Sequence, residues 1–229
     1  MSEIKNSSVI TFKKFSLIEL LVVISVFAIL ASLFSPSLNN AKKQVQAQEC
    51  RNNLSNIYNA ILIYVDDNDS ILMGPTWGAQ RPHIKHRKGW KYSHFPRYLE
   101  DYMSEFTLVG EDQSTYNKAF VCPANAELEM QGYEQVQHRS HYRGTINGWI
   151  DGGPIFGRPA FRGRPALVPK SIYVIPNPTS REIMVDSDLD NTNWLDDKNW
   201  DHSTVPVHEG KYRNNLFFDG SVKTIEWVP

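Results

Sequence analysis

The sequence of 229 residues predicts an α+β protein. We expect one long N-terminal helix, transmembrane in its first half and amphipathic in its second, packed on a small, loop-rich head with an antiparallel sheet. Three observations predict this fold. An apolar run near the N-terminus is long enough to cross a membrane, helical periodicity continues after it, and short apolar segments in the remainder are separated by Gly, Pro and Asp-Gly.

The apolar run extends over eighteen residues, from Leu17 to Phe34, and contains a single charge, Glu19. A helix of this length spans roughly 27 Å, close to the hydrocarbon thickness of a bilayer. A secretory signal has a shorter apolar region of about 7–15 residues, followed by a small-residue cleavage site. The run therefore predicts a membrane-spanning helix, and a signal cleaved near Ala31-Ser32 is the alternative.

The residues around Glu19 resemble a known motif. Lys14-Phe15-Ser16-Leu17-Ile18-Glu19-Leu20, with the apolar residues 21–30 after it, is similar to the N-terminus of type IV prepilins and type II secretion pseudopilins. The resemblance implies cleavage by a prepilin peptidase between Lys14 and Phe15 and methylation of Phe15. Lys14 stands where the family normally has Gly. It also implies that Glu19 meets the N-terminal amine of a neighbouring subunit during assembly, and that Pro36 bends the helix.

The resemblance also implies a location and a division of the chain. The leader has three lysines and one glutamate, a net charge of 3 − 1 = +2, which favours a cytoplasmic N-terminus. We expect a single-pass protein of the inner (cytoplasmic) membrane with a periplasmic or otherwise extracytoplasmic head. The expected parts are a leader (1–14), a transmembrane or filament-core helix (15–36), an amphipathic helix that packs on the head (37–69) and the globular head (70–229).

Beyond Pro36 the apolar residues follow a period near 3.6, which predicts that the same helix continues to about Val65. The carboxylates of residues 66–69 are unfavourable at a helix C-terminus, so the helix is expected to end there. The apolar positions are Leu38, Ala41, Val45, Leu54, Ile57, Tyr58, Ile61 and Val65.

A second resemblance covers the later part of the chain. The segment from Cys50 to Asp69 is similar to a bacterial subfamily that combines a prepilin N-terminus with a C-terminal processing-associated domain. Near the end, that subfamily has a His, nine residues and then Asp-Gly. Here ten residues stand between His208 and Asp219-Gly220. We expect His208 to fix a loop through hydrogen bonds rather than to act in catalysis.

The two cysteines, Cys50 and Cys122, are far apart in the sequence. Neither belongs to a C-x-x-C pair, which argues against a zinc or thiol-redox site. In an oxidising compartment the two can pair, and a bridge would tie the long helix to the head. Two buried free thiols are the alternative.

Four strands are predicted in the head: Ala119–Cys122, Glu182–Asp186, Asn215–Phe218 and Ser221–Val228. Asp219-Gly220 between the last two is typical of a type I′ hairpin turn, in which both residues take positive φ.

One group of acidic residues is a candidate metal site. Asp186, Asp188 and Asp190 alternate in a loop dense in Asp and Asn, as calcium ligands require, and major pseudopilins bind calcium in a late head loop. The pattern is not that of an EF-hand, and a solvated acidic loop is the alternative. We therefore expect no certain cofactor, with Ca²⁺ as the candidate.

The basic, aromatic-rich run of residues 81–92 could contact phosphates and bases. The net charge of −1 does not favour a nucleic-acid partner, and such a run is more often a solvated loop. The chain has no nucleophile-elbow, zinc-protease, phosphate-loop or dinucleotide motif, so no enzymatic activity is expected.

The expected function is that of a structural pilin-like or pseudopilin subunit of a type II secretion or type IV pilus-like assembly. Its expected partners are other such subunits, the prepilin peptidase/methyltransferase and the inner membrane. The alternative is a membrane-tethered extracytoplasmic protein that binds polysaccharide or DNA. Incorporation into a filament distinguishes the two.

Overall fold

The structure, a computed structural model, describes residues 16–76, 79–80, 94–104, 106–109, 114–124, 142–144, 149–150, 153–160, 163–186, 206 and 208–228. The chain forms two compact units, Met1–Lys42 and Lys43–Pro229. The predicted fold class is confirmed: a long N-terminal helix is followed by a small antiparallel sheet.

Helix α1 extends from Leu17 to Asp67, close to the predicted 16–65. Its first turn is closed by two side-chain hydrogen bonds. The Ser16 hydroxyl accepts from the Ile18 N–H (3.3 Å), and the Glu19 carboxylate accepts from the Ser16 N–H (2.9 Å). This Ser-x-x-Glu arrangement is a variant of the capping box, with the hydroxyl on the second helical N–H, and it satisfies backbone donors that a helix start leaves free.

The polar residues after α1 determine where the helix ends. The Asn68 side-chain amide donates to the Tyr64 carbonyl (2.7 Å), and the Ser70 N–H donates to the Val65 carbonyl (2.9 Å). Asp69 and Ser70 have left-handed φ values of 52° and 63°, which an α-helix does not accept. The helix therefore stops at Asp67.

The described part of the second unit contains the short helix α2 (Phe95–Tyr98) and nine short strands. The strands are β1 (Ala79–Gln80), β2 (Phe106–Val109), β3 (Ser114–Asn117), β4 (Tyr142–Gly144), β5 (Trp149–Ile150), β6 (Gly153–Pro154), β7 (Glu182–Asp186), β8 (Tyr212–Phe217) and β9 (Val222–Glu226). Five of them form one antiparallel sheet in the order β1-β4-β7-β8-β9, and the pairs β2-β3 and β5-β6 are each antiparallel.

One hydrophobic core joins α1 to the sheet within the second unit. The buried face of α1 recurs at helical spacing, and it clusters with Met184 of β7 and Leu216 of β8. Three aromatic rings extend the core: the Phe95 and Phe156 ring centroids lie 4.8 Å apart, and those of Phe156 and Phe218 lie 5.8 Å apart. The buried residues of α1 are Ala47, Cys50, Leu54, Ile57, Ala60, Ile61 and Val65.

The predicted strand at Ala119–Cys122 is wrong. Residues Lys118–Phe120 form a 3₁₀ helix instead. The Asn117 side chain accepts a hydrogen bond from the Ala119 N–H (2.8 Å), a local bond that competes with strand pairing.

The predicted type I′ turn between β8 and β9 is also wrong. Only Gly220 has a positive φ (82°), and Asp219 is not among the positive-φ residues. The Gly220 N–H donates to the Phe217 carbonyl, and the Phe217 N–H donates to the Ser221 carbonyl, both at 3.0 Å. This is a three-residue hairpin loop with glycine at its left-handed position. The Asp219 carboxylate accepts from the Ser221 N–H (2.9 Å), an Asx turn that stabilises this loop.

Candidate functional site: a buried polar cluster

Five buried side chains from different parts of the second unit meet in its interior. We call Cys50, Cys122, Asp186, His208 and Asn214 the polar cluster. Cys50 lies on α1, Cys122 follows the 3₁₀ helix, Asp186 ends β7, His208 precedes β8, and Asn214 lies on β8. All five are buried, with at most 3% of any residue exposed.

His208 is the centre of the polar cluster. Its Nε2 atom lies 3.0 Å from Asp186 Oδ2, 2.9 Å from Asn214 Nδ2 and 3.8 Å from Cys122 Sγ. One ring nitrogen carries either a proton or a lone pair, so Nε2 either donates to Asp186 or accepts from Asn214. Three polar groups therefore converge on one atom.

Asp186 connects the two central strands through its side chain. Its Oδ2 atom accepts from the Asn214 backbone N–H (2.8 Å) in addition to facing His208. A carboxylate buried to 1% exposure is costly unless hydrogen bonds compensate its lost hydration. These contacts fix Asp186 inside the head, and its Oδ2 faces the polar cluster.

Two tyrosines border the polar cluster. Tyr142 is fully buried on β4 and is the direct cross-strand partner of Asp186. Burial first, and then the Asp186 carboxylate, raise the pKa of Tyr142 well above 10.0, and the Asn53 side chain acts in the opposite direction. The Tyr212 ring stacks on His208, with centroids 5.3 Å apart and planes at 10°.

A disulfide joins Cys50 to Cys122, whose Cα atoms lie 5.2 Å apart. A second link lies one residue away, where the Asn53 side-chain amide donates to the Val121 carbonyl (3.1 Å). The segment after the 3₁₀ helix is thus held to α1 by a covalent bond and a hydrogen bond.

The Asp219-Gly220 turn contacts α1 at a different place, at Tyr58. A Cβ atom at Gly220 would be 2.5 Å from Cε1 of Tyr58, and the Tyr58 hydroxyl donates to the Phe218 carbonyl (3.0 Å). His208 and Gly220 therefore secure opposite ends of strand β8, one through the polar cluster and one through direct contact with the helix.

The remaining predicted site residues are distributed as follows. Glu19 lies in the first turn of α1, and Pro36 lies inside that helix. Lys14, Phe15, Asp188, Asp190 and the basic run 81–92 lie outside the described residues. Calcium binding and the bend at Pro36 stay predictions.

Sequence reasoning missed Asn214 and Tyr142, and it identified Tyr58 only as an apolar position of the long helix. None belongs to a motif, and each acts through a residue that is distant in the sequence. Asn214 and Tyr142 contact Asp186, and Tyr58 contacts the Gly220 turn. No local pattern indicates these pairings.

The polar cluster is arranged to hold structure together. Its side chains are sealed from solvent, so a substrate could not reach them without opening the head. A surface groove of about 490 Å³ lies elsewhere, lined by residues that include Leu62, Ile172 and Tyr173. None of its described lining residues belongs to the polar cluster.

No family model, curated protein or solved structure matches the chain. The class of protein is therefore defined by the structure alone: a long N-terminal apolar helix and a small antiparallel-sheet head, a loosely pilin-like layout. Among the described residues, one helix, α1, is long and apolar enough to cross a membrane by length and composition.

Proposed function

We propose that this protein is a structural pilin-like or pseudopilin subunit of a type II secretion or type IV pilus-like assembly, held in the inner membrane until it assembles. The main support for this proposal is the exposed apolar surface of the first part of α1. All described residues from Ser16 to Lys42 are exposed, including large apolar side chains such as Leu21, Phe27 and Phe34. A continuous apolar surface of this kind is unfavourable in water and needs lipid or other apolar helices around it.

The position of Glu19 supports an assembly role. Its carboxylate lies at the positive end of the α1 dipole, where the Ser16 N–H holds it. In hydrocarbon this single backbone donor is poor compensation for a full negative charge. The amine of a processed neighbouring subunit would supply the missing positive charge and favour one axial register.

The disulfide supports an extracytoplasmic head. Cys50 and Cys122 are the only cysteines of the chain, and the structure pairs them. Stable disulfides form mainly in oxidising compartments. Because the polar cluster is closed to substrates, we assign the head a structural role rather than a catalytic one.

The N-terminus of the protein recovered from native membranes tests the proposal. Edman sequencing and mass spectrometry should find a methylated Phe15 at the start. An intact Met1 would indicate a fixed anchor, and a start near Ser32 would indicate a secreted head. Either result would contradict the assembly function and favour the membrane-tethered or secreted binding protein.

Two substitutions at Glu19 separate the role of its negative charge from its role as an acceptor for the Ser16 N–H. Glu19→Ala removes both the charge and the acceptor for the Ser16 N–H, whereas Glu19→Gln keeps an acceptor oxygen and removes the charge. We expect both variants to reach the membrane fraction and neither to enter sheared or cross-linked filaments. If Glu19→Gln assembles normally, Glu19 serves only to cap α1.

A further inference from the structure

We propose that the polar cluster binds one Zn²⁺ ion when Cys50 and Cys122 are thiols, with His208 and Asp186 as the other two ligands. Cysteine spacing alone argues against a zinc site, because the ligands are spread over more than half of the chain. The fold brings them together. The ligand atoms of Cys50, Cys122 and His208 all lie within 4.8 Å of one another.

The two distances at His208 fit the edges of a tetrahedral zinc site. With Zn–S near 2.3 Å and Zn–N near 2.0–2.1 Å, the sulfur–nitrogen edge of a tetrahedron is about 3.6 Å, and the nitrogen–oxygen edge is about 3.4 Å. The Cys122 Sγ to His208 Nε2 distance is 3.8 Å, and the His208 Nε2 to Asp186 Oδ2 distance is 3.0 Å. Both distances lie within a few tenths of an ångström of these edges. Opening the S–S bond frees the thiolate of Cys50 as a further ligand.

The surroundings favour zinc over a hard cation. Two thiolates and an imidazole are ligands that Zn²⁺ accepts and that Ca²⁺ and Mg²⁺ do not. The site is buried, so a bound ion would neutralise thiolates and a carboxylate that are otherwise costly to bury. The Asn214 backbone N–H, 2.8 Å from Asp186 Oδ2, would orient the carboxylate as an outer-shell partner.

The disulfide and the zinc site exclude each other, because each sulfur forms either the S–S bond or a bond to zinc. A newly synthesised chain carries both sulfurs as thiols. In the oxidised chain, a dithiol reductant reaches the buried sulfurs when the head opens locally, transfers two electrons and two protons to the S–S bond and becomes a disulfide itself. Zn²⁺ then displaces the two thiol protons into solvent as the two Zn–S bonds form.

Co²⁺ binding to the full-length protein in detergent tests this site. The protein is reduced with a dithiol, desalted without oxygen and titrated with Co²⁺. We expect thiolate-to-cobalt charge-transfer absorption and tetrahedral d–d bands at one Co²⁺ per chain, both abolished by Zn²⁺. The chain has only two cysteines, so the charge-transfer band reports Cys50 and Cys122 even if other histidines bind metal. Unreduced protein is the matched control and should give no such band.

Two variants test the other ligands. His208→Ala and Asp186→Asn should each weaken Co²⁺ binding by about tenfold or more and change the d–d bands. Unchanged affinity and bands in both variants would overturn the assignment of these ligands. Near-ultraviolet circular dichroism monitors the fold throughout.

The absence of a charge-transfer band in the reduced, folded protein would overturn the whole proposal. If the reduced protein loses its fold, Zn²⁺ should restore it, and failure to do so would equally overturn the proposal.

Discussion

Replacing Gly220 by alanine should destabilise the head more than replacing a comparable glycine elsewhere. Gly220 has φ 82° and Gly163 has φ 77°, so both alanines would be forced into the left-handed region. That strain costs about 1–2 kcal/mol, partly offset by about 0.4–1 kcal/mol because alanine restricts the unfolded chain. The backbone contribution is therefore nearly the same at the two positions.

The difference between the two sites is their surroundings. A Cβ atom at Gly163 meets nothing within 4 Å, whereas one at Gly220 would lie 2.5 Å from Cε1 of Tyr58. Tyr58 cannot turn away without stretching its hydrogen bond to the Phe218 carbonyl (3.0 Å). Overpacking of this kind costs about 1–3 kcal/mol. We expect a net loss of about 2–4 kcal/mol for Gly220→Ala and about 1 kcal/mol or less for Gly163→Ala.

Thermal unfolding of the full-length protein in detergent, followed by near-ultraviolet circular dichroism, measures both losses. For a unit of this size, 1 kcal/mol corresponds to roughly 2–4 °C, so Gly220→Ala should lower Tm by roughly 5–15 °C. In a Tyr58→Ala background, the cost of Gly220→Ala should fall to that of Gly163→Ala. Equal losses at the two glycines, or no rescue by Tyr58→Ala, would refute the role assigned to the Tyr58 contact.

Two further predictions concern the polar cluster and its border. The Cys50–Cys122 disulfide closes a loop with a sequence separation of 72, which corresponds to about 4 kcal/mol in the chain-entropy relation. The double variant Cys50→Ala/Cys122→Ala should therefore melt roughly 10–15 °C lower, and a change within 2 °C would contradict this account. The pKa of Tyr142 is raised in the folded protein, so the folded side chain keeps its proton at a pH near 10, where tyrosine in the unfolded chain ionises. The contribution of Tyr142 to stability is therefore complete below about pH 10 and declines above it. Tyr142→Phe should show a shallower loss of Tm between about pH 10 and 11 than the unsubstituted protein, and identical slopes would count against the buried tyrosine.

The parts of the fold that depend on local pattern could be predicted from the sequence. Helix α1 ends within two residues of the predicted position, because its periodic core face stops where the Asp-rich residues begin. Strand β7 has the predicted bounds, Glu182–Asp186, because a short apolar run marks it. Residues 119–122 were predicted as a strand from similar composition, but the hydrogen bond of the Asn117 side chain turns the backbone into a 3₁₀ helix.

The polar cluster could be predicted only in part. Cys50, Cys122, Asp186 and His208 each stood out in the sequence, but for separate reasons. Their convergence depends on how β7 and β8 pair and on which face of α1 meets them. These long-range contacts cannot be derived from the spacing of residues in the sequence. Asn214 carried no signal in the sequence, since its backbone N–H contacts Asp186 and its side-chain amide contacts His208, and neither contact belongs to a motif.

The disulfide also determines how the head would respond to a pulling force. Tension applied through α1 reaches Cys50 and passes directly to Cys122, so the chain between the two cysteines carries no load. At about 3.3–3.6 Å per extended residue, the separation of 72 residues corresponds to roughly 240–260 Å of chain that cannot be drawn out while the bond is intact. An oxidised subunit can extend only outside this loop, whereas the same subunit as a dithiol can extend through its whole core.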